Sequence, residues 1–85
     1  MNIPLVEGNF SQKEATDIIT QLIHINVKFH ESKINIYASE EEIKRHEKKV
    51  NHLQKYLFEA KKFIEQQTAE IIINSEIQII KKDGK

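Results

Sequence analysis

Four histidines are the residues of this 85-residue chain best equipped for chemistry. His24, His30, His46 and His52 could each ligate a metal or move a proton near neutral pH. Ligands that share one helix face need spacings of three or four. His24 to His30 is a step of six, and so is His46 to His52. Glu42 and His46 are four apart, but the pair belongs to no ligand motif of recognised spacing. The residues therefore predict no metal site. His24 reads as solvated, and His46 as a polar residue tolerated among apolar neighbours. A polar group in an apolar seam can set register and partner choice, and its protonation would then weaken association.

The second chemically capable set is cationic. Lys44, Lys48, Lys55 and Lys62 fall in one helical row with Asn51 and Phe58, and Arg45 and Lys49 flank it. Cations in a row beside an aromatic ring can follow a phosphate backbone. The plainer reading is a solvated face whose charges are balanced at helical spacing by Glu40, Glu47 and Glu59. Nucleic-acid binding is accordingly the alternative and not the main reading.

Catalysis has little to build on. There is no nucleophile elbow, no glycine-rich phosphate loop and no paired-carboxylate setting. The two glycines, Gly8 and Gly84, lie at the margins of the chain. The sequence predicts no enzyme, no catalytic residue and no cofactor.

Composition bounds the rest. A chain this short forms one domain, 1–85, and a single core of that size is marginal. There is no cysteine, so disulfides and thiolate metal sites are excluded, and association is the remaining route to stability. No apolar run exceeds three residues, and the N-terminus lacks the basic and apolar regions of a signal peptide. A cytoplasmic protein with no membrane contact is expected. Residues 1–42 carry three lysines against seven acids, and residues 43–85 carry ten basic residues against six acids. The two halves, at −4 and +4, attract each other weakly at physiological salt.

The elements that must position these residues are legible in the spacing. Ile43, Val50, Leu57, Ile64 and Ile71 recur every seven residues, with His46, Leu53, Ala60 and Gln67 three residues after each of the first four. That is the seam of a helix lying lengthwise against another helix. Ser39 and Glu42 form a capping box at its start, so the second helix is predicted over 39–69. Ser11 and Glu14 form another, which opens a first helix predicted over 11–37. Its inner side is read as Ala15, Leu22, Phe29 and Ile36, at intervals of seven, with Ile18, Ile19 and Ile25. Ile23, Val27 and Ile34 form a further apolar strip, so more than half of this helix is apolar.

The chain ends read differently. Residues 2–6 are a short strand with Ile3 and Leu5 on one face, closed by a turn at Gly8-Asn9. Alternation from Ile71 to Ile80 predicts a strand over 70–80, preferred as one strand over a hairpin turning at Asn74-Ser75. Residues 81–85 are expected to be a disordered tail.

The predicted fold is mainly α within the α+β class, in the order β-α-α-β. It is an antiparallel hairpin of long, coiled-coil-like helices, with a small sheet of the N- and C-terminal strands. Two or more hairpins complete an oligomeric bundle, most simply a twofold dimer. The apolar residues left for that interface are Ile23, Val27, Ile34, Tyr56, Phe63, Ile71, Ile73, Ile77 and Ile79. The expected role is a non-enzymatic, homo-oligomeric structural or protein-interaction module.

Overall fold

Two capping serines and two periodicities organise the chain. The computed structural model describes residues 1–83. It contains β1 (Asn2–Phe10), α1 (Gln12–Ser32), α2 (Glu40–Glu65) and β2 (Ile71–Gln78). The fold is mixed α+β, with two helices and a small two-stranded antiparallel sheet. Both halves of the first capping box form: the Glu14 N–H donates to Ser11 Oγ at 3.1 Å, and the Ser11 N–H donates to Glu14 Oε1 at 2.9 Å. At the second, the Glu42 N–H donates to Ser39 Oγ at 3.1 Å, while the Ser39 hydroxyl itself turns to the Glu42 carboxylate.

Both helices stop short of their predicted ends. α1 ends at Ser32 and not at 37, because its last turn tightens: Lys33 and Ile34 N–H donate to the carbonyls three residues back. Ser32 Oγ then donates to the Phe29 carbonyl at 2.6 Å, and Asn35 Oδ1 accepts from the Tyr37 N–H at 2.8 Å. Short polar side chains that bond nearby backbone compete with the helix. Ile36 and Tyr37 consequently lie in the loop, 88% and 90% exposed. α2 ends at Glu65 and not at 69, where the Gln67 N–H takes the Ile64 carbonyl and its side-chain amide takes that of Phe63. The Gln12 side chain donates to the Gln67 carbonyl and ties the end of α2 to the start of α1.

The α2 seam packs as its repeat predicts: Ile43, His46, Val50, Leu53, Leu57, Ala60 and Ile64 are all buried or half-buried. α1 keeps its expected inner side over its first half, where Ala15 is buried and Ile18, Ile19 and Leu22 are half-buried, and departs from it after that. Val27 is buried and Ile23, His30 and Ile34 are half-buried, whereas Ile25, Phe29 and Ile36 are exposed. The sheet holds the first half. Ala15 is fully buried in a cluster with Ile64 and Ile73, and Val6, Phe10, Ile18, Ile19 and Ile71 pack against it. Ala15, Ile18 and Ile19 are held in that cluster as expected, and beyond it Ile23, Val27 and His30, with Ile34 just past the helix end, close over at the steps of three and four a helical seam needs.

β1 is longer than predicted and runs through Gly8-Asn9 without turning. Gly8 sits opposite Ile73 with φ +140°, a conformation open to glycine and strained for other residues. β2 is one strand. Paired residues share a face, so Phe10 with Ile71, Gly8 with Ile73, and Val6 with Ser75 line the inner side. Ile3 is three residues from Val6, and a regular ladder would turn it outward. A bulge between Pro4 and Val6 takes up the odd residue, so Ile3 pairs with Ile77 and shares a face with Val6, in place of Leu5. Pro4, which has no N–H to give, lies beside that irregularity. Met1 and Ile79 extend the pairing with two further bonds, of 2.7 and 2.8 Å. Residues 81–83 have no regular structure, and the other two residues of the expected tail lie outside the described residues.

The molecule is long and thin, 47 × 29 × 14 Å, with a radius of gyration of 16.0 Å. A compact chain of this length has a radius near ~12 Å.

Candidate functional site

At the sheet end the helices and β2 leave an apolar cleft of about 340 Å³. Ile19 lines it from α1, Ala60, Phe63 and Ile64 from α2, and Ile71 to Asn74 from β2. The repeat that places Ile64 in the hairpin seam turns its neighbour Phe63 outward, 61% exposed. Ile72 is 69% exposed because β2 alternates, and Ile77 and Ile79 remain exposed beyond the helices. No third element covers this surface among the described residues.

Towards the loop, a larger cleft of about 540 Å³ opens between the helices, and cationic side chains join its apolar lining. α1 supplies Asn26 and His30. α2 supplies Arg45, Lys48, Lys49, His52, Leu53 and Tyr56. Their spacing on α2 runs in steps of three and four, so one helix face carries all the charge. No carboxylate lines this cleft.

The seam beside it holds an unexpected pair. His30 Nδ1 and His46 Nδ1 are 2.9 Å apart, with ring centroids separated by 5.2 Å. One ring must donate and the other accept, so the contact holds only while at least one imidazole is neutral. Burial, chiefly, and then the field of His30 hold the His46 pKa below the usual histidine value; Arg45 adds to this and Glu42 opposes it. His30 escaped sequence reasoning because the histidines were compared along one helix. Its position within the strip of Ile23, Val27 and Ile34 was the available signal. Among the described residues no three potential metal ligands gather.

The structure divides the residues expected at an oligomer interface. Val27 and Ile73 are buried, and Ile23 and Ile34 are half-buried. Ile34 lines a crevice with Val50 and Asn51 of α2. These four belong largely to the chain's own interior: Ile73 through its cluster with Ala15 and Ile64, the other three because the second half of the hairpin closes over a different side from the one expected. Tyr56 stands among the cations of the larger cleft. Phe63, Ile71, Ile77 and Ile79 stay at the sheet end with open surface, and Ile72 joins them. Of the alternative cationic row, Lys44, Lys48, Lys55 and Lys62 are all exposed, and Lys62 Nζ lies 4.9 Å above the Phe58 ring. Among the described residues no helix is long and apolar enough to cross a membrane. No protein family, curated protein or solved structure matches the chain.

Proposed function

We propose that this chain is a non-enzymatic interaction module that works as a homo-oligomer, most simply a twofold dimer of coiled-coil-like hairpins. One observation carries the reading: the chain exposes 7260 Å² of accessible surface at a mass of 10.0 kDa. A compact monomer of that mass exposes about 5,200 Å². The excess of roughly 2,000 Å² per chain exceeds the ~800 Å² each partner contributes to a standard interface. Phe63, Ile71 and Ile72, which line one cleft, supply an apolar centre for it, and Ile77 and Ile79 lie exposed further along the same chain segment. The open edges of a two-stranded sheet offer unpaired backbone groups to a second copy, since two strands alone are marginal. A cytoplasmic setting fits a chain without cysteine.

Light scattering at micromolar concentration tests the proposal. A dimer of twice 10.0 kDa is the expected result. A folded species at the mass of one chain, with helical circular dichroism intact, overturns it. A second reading, a nucleic-acid accessory protein using Lys44, Lys48, Lys55 and Lys62, draws on the exposed Phe58 ring beneath Lys62. Titration with DNA and RNA at low and high salt separates the two, and a Lys48/Lys55/Lys62→Glu variant must lose any such binding.

A further inference from the structure

The cleft between the loop-proximal halves of α1 and α2 has a chemistry that self-association does not use. We propose that it binds a phosphate-bearing small molecule of about nucleotide size, with the phosphates on Arg45, Lys48 and Lys49 and a ring against Tyr56. The cleft is complete within one chain, so the inference is independent of the oligomeric reading.

Three observations support it. First, Arg45 stands three and four residues before Lys48 and Lys49, and like charges at those spacings repel. Glu41 and Glu42 stand at helical spacing behind Arg45, but no carboxylate lines the cleft itself, and Lys48 and Lys49 have none at three or four residues. A bound anion relieves the repulsion, and Arg45 offers a fork of donors that matches phosphate oxygens. Second, the volume of about 540 Å³ lies within the range of small-molecule sites. From Arg45 to Tyr56 the cleft spans about 16 Å of helix, at 1.5 Å per residue. Third, Tyr56 is 59% exposed at the far end from Arg45, with Leu53 beside it. That arrangement places a charged end and an aromatic end along one groove, as an organic phosphate requires. The exposed lysine row of the nucleic-acid reading shares Lys48 with the cleft, and the Arg45 and Lys49 that flank the row line the cleft as well.

The test is calorimetric titration of the full chain, without added metal, using pyrophosphate, ATP and adenosine as separate probes. Pyrophosphate and ATP are expected to bind, ATP more tightly, and adenosine most weakly. An Arg45→Gln/Lys49→Gln variant should weaken both phosphate probes at least about tenfold, as loss of charge-assisted hydrogen bonds requires. Tyr56→Ala should weaken ATP and spare pyrophosphate. Lys62→Gln, outside the cleft, should change neither. Amide chemical-shift changes confined to residues 26–30 and 45–56 provide a readout that needs no variant. Absence of binding by both phosphate probes at millimolar concentration overturns the proposal. So does equal binding by wild type and a folded Arg45→Gln/Lys49→Gln variant, or binding of single-stranded DNA alone.

Discussion

Replacing Phe63 by alanine tests the proposed self-association apart from the stability of the chain's own fold. Phe63 is 61% exposed, so 39% of its potential burial is already realised within the chain. Full burial of a phenylalanine side chain is worth about 1.5–3 kcal/mol. The exposed share leaves about 0.9–1.8 kcal/mol for a partner to cover. Twofold symmetry counts it twice, at about 1.8–3.7 kcal/mol, which weakens a dimer roughly 20- to 400-fold. Analytical ultracentrifugation of Phe63→Ala over a dilution series reads that shift directly. Ile64→Ala is the control, because Ile64 is 4% exposed and lies in the cluster with Ala15 and Ile73. Its loss should cost about 2–5 kcal/mol of unfolding free energy. Domains of this length hold about 4–13 kcal/mol in all. The two neighbours should therefore diverge, one changing the dissociation constant and the other the thermal midpoint. A Phe63→Ala protein that dimerises within threefold of wild type would refute the assignment of the sheet-end surface.

Three further outcomes follow from the same geometry. Gly8→Ala should lower stability by about 1–3 kcal/mol in chemical denaturation, through backbone strain alone, since an added Cβ there meets the Phe10 ring at an ordinary 3.8 Å. Ser11→Ala removes the cap of α1 and should cost about 1 kcal/mol, read as an earlier urea midpoint with an unchanged m-value. Stability should fall as pH drops below about 6.5, the value His46 has in the unfolded chain, toward its lower folded value, because the unfolded chain binds that proton more readily. It should be level above that window. Thermal midpoints at pH 8 and 5 should differ more for wild type than for His46→Leu.

The residues themselves account for much of this protein. Spacing along one helix specified the α2 seam, because a seven-residue repeat keeps its side chains on one face whatever the partner is. The capping serines placed both helix starts, because the N-cap bonds span only three residues. Alternation announced β2 for the same local reason. Helix ends were half legible: Ser32, Asn35 and Gln67 carried the signal, and their backbone bonds outcompeted a periodicity that continued past them. Tertiary structure alone decided that the inward side of α1 passes from Ala15, Ile18, Ile19 and Leu22 to Ile23, Val27 and His30 along its length, since that depends on how the sheet and α2 lie against it. It also decided that Leu5 is passed over so that Ile3 can join Val6, that His30 meets His46, and that the cations of α2 face a cleft. Each of these depends on residues far apart in the chain, and periodicity within one element contains no information about what stands opposite it.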